Sequence, residues 1–125
     1  MVRDYLKRSY SHRLARAADR AQGMTLILVG GREERQHIGR LKKSFRFGTI
    51  EWLPSEPGKD PPLGKLDMVH RDSHVVLILT DYISHTTSDA AEEACRRRGV
   101  AAVRCPTHGV DTMERKLVDH LAPGS

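Results

Sequence analysis

An uninterrupted run of apolar residues at 75–79 (VVLIL) constrains the fold of this chain more than any other segment. A run of this length without alternation predicts a strand that is buried on both faces, as in a parallel sheet covered by helices. The sequence turns polar directly afterwards, at Thr80, Asp81, Ser84 and His85. Ligands of open parallel sheets bind just beyond the carboxyl ends of central strands. We therefore expect a ligand site at this end of the strand.

Three further segments have the pattern of strands. Residues 24–29 are almost continuously apolar, which predicts a second central strand. Residues 49–53 alternate between polar and apolar, which predicts a half-exposed edge strand, and residues 100–104 predict a short fourth strand.

The segments between the strands have helical patterns. We predict helices at residues 32–45, 65–71 and 86–98, and a last helix that opens with a capping-box pattern at Asp111 to Glu114. The inward side of the third helix is predicted from its small and apolar residues Ala90, Ala91, Ala94 and Cys95.

This alternation of strands and helices predicts an α/β fold with a small parallel sheet, Rossmann-like or flavodoxin-like. The continuous apolar strands belong at the centre, which gives the strand order 2-1-3-4 after an extra N-terminal amphipathic helix. The order reverses between strands one and three, and we call the crevice expected there the switch point. We predict a basic helical arm over residues 1–23, one α/β domain over 24–122 and a tail over 123–125.

Gly30, Gly31, Arg32 and Arg35 follow the first strand and are candidates for binding phosphate. Glycines let a ligand approach the backbone, a helix start supplies N–H groups, and arginines add charge and donors. The dinucleotide fingerprint is incomplete and the P-loop lysine is absent. A tight strand-to-helix turn without a ligand explains the same residues equally well.

The polar residues after the third strand have three interpretations. Asp81, Ser84 and His85 contain the groups of a hydrolase triad, but neighbours in sequence do not supply its geometry. They also suit a structural turn in which Ser84 caps a helix. We favour ligand binding by Thr80, Asp81, Ser84 and His85, because this architecture places ligands there.

The two cysteines and the seven histidines allow no four-ligand zinc site to be written. Cys105 ends the fourth strand near the crevice, so it is included among the candidate ligand-binding residues, as a thiolate ligand or reactive thiol. A haem held by His85 or Cys105 is chemically possible, although the aromatic content of 5% is low for a haem pocket. The cofactor therefore stays unknown at this stage.

Most of the net charge of +5 belongs to the arm. Residues 1–22 contain two aspartates and six basic side chains. The basic residues are Arg3, Lys7, Arg8, Arg13, Arg16 and Arg20. An apolar stripe runs between them through Val2, Leu6, Tyr10, Leu14, Ala17 and Ala21. The arm either packs on its own domain or on a second subunit, or it lies on nucleic acid phosphates.

The segments Val-Gly-Gly-Arg at 29–32 and Thr-Asp-Tyr-Ile-Ser-His at 80–85 resemble a bacterial family called domain of unknown function 2325. The resemblance extends from about Met24 to Leu121 and leaves the arm outside. It implies a small Rossmann-like domain in the cytoplasm and says little about activity. The positions that carry over are Gly30, Gly31, Arg32, Thr80, Asp81, Ser84 and His85.

The hypothesis that we favour is a non-enzymatic binding or sensor module for a small anionic or nucleotide-like ligand at the switch point. We expect it to self-associate through the N-terminal helix and to reside in the cytoplasm, without a membrane partner. The alternatives are a nucleic-acid-associated protein that uses the basic arm, a haem- or redox-responsive protein, and a small hydrolase.

Overall fold

The computed structural model describes the backbone of residues 2–123 and the side chains of residues 9–123. The elements in chain order are α1 (Val2–Ala21), β1 (Thr25–Val29), α2 (Arg35–Phe45), β2 (Thr49–Leu53), β3 (His74–Leu79), α3 (His85–Arg97), β4 (Ala102–Cys105) and α4 (Val110–Leu121). Short 3₁₀ turns cover Gly64–Met68 and Thr80–Tyr82. None of the described helices is long and apolar enough to cross a membrane.

The four strands form one sheet in the order β2-β1-β3-β4, and every pairing is parallel. This confirms the predicted α/β fold, strand order and N-terminal helix. In the register, Thr25 lies between Thr49 and His74, so β1, β2 and β3 begin level with one another. The central strands β1 and β3 are almost wholly buried, whereas the edge strands are not.

Helices cover both faces of the sheet, which explains the unbroken apolar runs of the central strands. Leu26 and Leu28 of β1 share one core with buried residues of α1, α2 and α4. Ile27 and Val29, which point the other way, share a second core with α3 and the first 3₁₀ turn. The helices that start after β1 and β3 therefore lie on opposite faces, and the two loops leading to them meet at the switch point.

The predicted arm packs against its own domain from Tyr10 onward. Ala17 and Ala21 are fully buried in the core beneath α2 and α4. Arg13 Nε donates to the carbonyl of Ala122 at 3.2 Å, and Arg20 donates to that of Leu121. Two arginines thus satisfy carbonyls that the end of α4 leaves free.

Two predicted helix starts are wrong. The second helix begins at Arg35 instead of residue 32, because Gly30 and Gly31 have positive φ angles and Glu34 is still extended. The last helix begins at Val110 with Gly109 at its N-cap, and no side chain caps it. The capping box is not formed, and Asp111 pairs with Arg40 of α2 instead.

Two other details of the helices also differ from the prediction. Residues 65–71 do not form an α-helix; a 3₁₀ turn at Gly64–Met68 buries Leu66 instead. In α3, Ala90 is exposed, and Ser88 lies on the buried side with Ala91, Ala94 and Cys95. Residues 88, 91 and 95 follow the three- and four-residue spacing of a single helix face, and Ala90 lies outside it.

Candidate functional site

The turn after β1 is held in place by hydrogen bonds to the end of β2 and to the residues that follow it. Gly30 N–H donates to the Leu53 carbonyl, and the buried Trp52 Nε1 donates back to the Gly30 carbonyl, both at 2.8 Å. Ser55 N–H donates to the Gly31 carbonyl at 2.8 Å. Both glycines have φ angles that side chains disfavour, 96° and 72°. The backbone of this loop is therefore fixed before any ligand arrives.

Contacts within the protein account for the need for glycine in this turn. A Cβ added to Gly31 would lie 2.7 Å from His108 Cδ2 and 3.1 Å from Leu79 Cδ1. A Cβ on Gly30 would lie 2.8 Å from Ile83 Cγ2. The space beside Gly31 that the sequence suggested for a ligand is thus filled by the His108 ring.

His108 belongs to a cluster of four rings that the sequence analysis missed. Its ring centroid lies 5.2 Å from that of His37, 5.4 Å from that of Trp52 and 5.4 Å from that of Tyr82. These residues come from α2, β2, the turn after β3 and the loop after β4. Its members belong to β2 or to the segments that follow β1, β3 and β4. No local pattern marks it, because its members are separated by 15 to 71 residues.

Hydrogen bonds to carbonyls fix the tautomers of the two histidines in this cluster. His108 Nε2 lies 2.7 Å from the Arg32 carbonyl, and His37 Nε2 lies 3.0 Å from the His108 carbonyl. A carbonyl only accepts, so each Nε2 carries the proton and donates it. The three residues therefore form a chain from α2 through the β4–α4 loop to the β1–α2 loop.

The two candidate arginines lie on the outer side of the β1–α2 loop. The Arg32 side chain is 88% exposed, and its Nε is 3.8 Å from Glu34 Oε1. Arg35 is the first residue of α2 and is also exposed. Glu34 at the N-cap makes no side-chain capping bond. Two exposed arginines therefore flank a helix start that has no side-chain cap.

The start of α3 is different, because a carboxylate of the protein already occupies it. Asp60, from the proline-rich loop after β2, accepts hydrogen bonds from Ser84 Oγ and Thr87 Oγ1, both at 2.6 Å. Ser84 N–H lies 3.3 Å from the same carboxylate oxygen. Ser84 Oγ also accepts from Thr87 N–H at 3.1 Å, which confirms the expectation that Ser84 can cap this helix.

The remaining candidates after β3 are not brought into a catalytic arrangement. Thr80 is half-buried in the 3₁₀ turn, whereas Asp81 and His85 are exposed. Among the described residues, the Ser84 hydroxyl bonds Asp60 and Thr87 and no imidazole. The geometry therefore gives no support to the hydrolase triad. A role of Thr80, Asp81 and His85 in ligand binding stays a prediction.

Both cysteines are buried and free. Burial raises the pKa of Cys95 to about 11. Burial likewise raises the pKa of Cys105, whose thiol donates to the Thr107 carbonyl at 3.3 Å. Because the thiolate is the reactive and metal-binding form, this environment does not favour Cys105 as a ligand or nucleophile.

No three His, Cys, Asp or Glu side chains within residues 9–123 come together as a metal site. His85 is exposed at the start of α3 and Cys105 is fully buried as the last residue of β4, so no observation favours a haem held by them. The haem alternative stays a prediction from sequence alone.

Comparison with known proteins identifies a family without assigning an activity. No curated protein matches the chain. A family model matches residues 25–120, which include the whole sheet, the β1–α2 loop and the start of α3. The match covers more than half of the chain and agrees with the resemblance at residues 29–32 and 80–85. The chain thus belongs to the family described as an uncharacterized protein conserved in bacteria, domain of unknown function 2325.

Proposed function

We propose that the protein is a non-enzymatic binding or sensor module that holds a small anionic or nucleotide-like ligand at the switch point. The observation that carries the proposal is the contrast between the starts of α2 and α3, the helices that follow the central strands β1 and β3. The start of α3 already has the Asp60 carboxylate as its anion. The start of α2 has no side-chain cap and lies beside the exposed Arg32 and Arg35.

The backbone and the charges at the start of α2 suit an anion. The first N–H groups of a helix have no partners within the helix, and its dipole favours negative charge there. Arg32 supplies a planar fork of donors that matches a phosphate or carboxylate. Glu33 and Glu34 oppose this charge, so we expect modest affinity that falls as salt screens the arginines.

The fixed backbone of the β1–α2 loop also supports ligand binding. Three hydrogen bonds tie Gly30 and Gly31 to the end of β2 and to Ser55 beyond it, and His108 ties the Arg32 carbonyl to the β4–α4 loop. A binding loop that is ordered beforehand loses less conformational entropy when a ligand arrives. The ligand then has only to order the exposed side chains.

Titration calorimetry of alanine variants tests the proposal. The ligands are inorganic phosphate, pyrophosphate and nucleoside mono-, di- and triphosphates at low salt. We expect Arg32→Ala and Arg35→Ala each to weaken binding at least about tenfold, or about 1.4 kcal/mol. Arg97→Ala is the matched control, since Arg97 is exposed at the far end of α3, and it should bind as the parent protein does.

Circular dichroism of each variant establishes that the fold is intact. His85→Ala tests whether the ligand reaches α3, as the sequence analysis predicts. Failure of phosphate, pyrophosphate and all the nucleotides to bind the parent protein would refute the proposal. Equal affinity of the parent protein and Arg32→Ala would also refute it.

No specific observation favours a nucleic-acid-associated protein, a haem- or redox-responsive protein or a small hydrolase. Arg13 and Arg20, two of the six arm residues named for nucleic acid binding, bond to the end of α4, while Arg16 is exposed. Arg3, Lys7 and Arg8 lie outside the described side chains. The proposal keeps self-association through the first residues of α1. It also keeps the cytoplasm as the location, which two free cysteines support.

A further inference from the structure

We infer that the ligand contains a planar base that stacks on Tyr82, so that it is a nucleotide and not a simple phosphate or carboxylate. This inference rests on the proposed function. It adds a second contact, made by a different residue, to the anion contact at Arg32.

Tyr82 differs from the other aromatic residues whose side chains are described. Its relative exposure is 44%, whereas Phe45, Phe47 and Trp52 are buried in the core. Tyr10 is partly buried and donates its hydroxyl to Glu114. A partly exposed ring at a candidate ligand site is available to stack on a planar ligand.

Tyr82 is also held in a defined position. Its carbonyl accepts a hydrogen bond from Ser55 Oγ at 2.9 Å. Its ring packs edge-on against His108, with centroids 5.4 Å apart and planes at 70°. His108 in turn packs on Trp52 and donates to the Arg32 carbonyl. Tyr82 is thus held in place by His108 and Ser55 and is still partly exposed to solvent.

His108 links Tyr82 to the backbone of Arg32. Both residues contact His108, one through its ring and the other through its carbonyl. A ligand with a phosphate at Arg32 can therefore place a neighbouring ring on Tyr82. Bases stack on aromatic side chains with little preference for sequence, because every base has a π-face. Free nucleotides and a 5′-phosphorylated strand end share this chemistry.

Calorimetry with matched ligands tests the inference. The parent protein should bind adenosine or guanosine monophosphate at least about tenfold more tightly than ribose 5-phosphate, which lacks the base. Tyr82→Leu should abolish that difference and leave the affinity for ribose 5-phosphate unchanged. Tyr82→Phe retains the ring and should retain the preference. A 5′-phosphorylated oligonucleotide that binds more tightly than the monophosphate would identify a strand end as the source of the nucleotide.

The two proposals fail in different ways. Equal binding of the monophosphate and ribose 5-phosphate, or an unchanged preference in Tyr82→Leu, would overturn the stacking inference while the anion site stands. Absence of binding of both ligands to the parent protein would overturn the proposed function and the inference with it. Circular dichroism of Tyr82→Leu guards against a loss of fold.

Discussion

At the scale of single residues, Asp60 shows how this protein uses a helix start for its own structure. Hydrogen bonds from the Ser84 and Thr87 hydroxyls hold the pKa of Asp60 below its ordinary value of 3.8. The contact therefore stabilises the folded loop at pH values above the ordinary pKa of an aspartate. It is lost as the pH falls through the lowered pKa and the carboxylate becomes protonated.

Removing one of these hydroxyls should move the Asp60 pKa back toward its ordinary value. We expect Thr87→Val to raise it, because the valine has the same shape and no donor, while Ser84 still caps α3. Carbon-13 NMR titration of the Asp60 carboxyl group measures this directly. Thr86→Val is the control, since exposed Thr86 makes no bond to Asp60, and it should leave the titration unchanged. An unaltered pKa in Thr87→Val would contradict the assignment of the contact.

At the scale of secondary structure elements, small residues let α1 approach the helices beside it. Ala17 has no exposed surface and belongs to the same core as Leu41 of α2 and Leu117 of α4. Ala15, two residues away, is exposed. The close approach of α1 therefore depends on one side of the helix only.

Enlarging Ala17 should destabilise the protein. We expect Ala17→Leu to lower the free energy of unfolding by about 1–3 kcal/mol, because added methylenes force apart a packed core. Ala15→Leu adds the same atoms on the exposed side and should change it by less than about 0.5 kcal/mol. Urea unfolding followed by circular dichroism measures both. Equal stabilities of the two variants would show that α1 does not pack as described.

The elements themselves differ in how well the sequence predicts them. Residues 75–79 and 24–29 predict central strands because a strand buried on both faces has no polar position. Placing these two strands at the centre of the sheet gave the strand order. Helix starts are harder, since the turn at Gly30 and Gly31 delays α2 by three residues. The site is harder still: Gly30, Arg32 and Ser84 could be placed at the switch point, but Asp60 and His108 reach it from distant loops. Their contacts depend on tertiary packing, which leaves no local pattern.

At the scale of the whole molecule, self-association remains to be measured. The apolar stripe continues into residues 1–8 as Val2 and Leu6. Because Ala17 and Ala21 are buried in the core, a deletion that tests the arm must stop before Tyr10. We expect removal of residues 1–8 to leave the protein folded and to lower its mass in solution, measured by light scattering after size-exclusion chromatography.

Point variants separate the apolar stripe from the charges in this experiment. Leu6→Ser should lower the mass as the deletion does, whereas Lys7→Ser, on another side of the helix, should not. A mass that is the same before and after the deletion would rule out association through this segment.

The packing of α1 against α4 determines when the protein can complete its fold during synthesis. The first and last helices contribute to one core, and Arg13 and Arg20 bond to carbonyls at positions 121 and 122. A ribosome adds these positions about 100 residues after α1 and must then release them from its exit tunnel. Synthesis proceeds at about 5–20 residues per second. The end of α4 is therefore made at least several seconds after α1. During that interval the part of its alanine side that α4 covers in the folded protein is exposed, and the flanking arginines favour the solubility of the nascent chain.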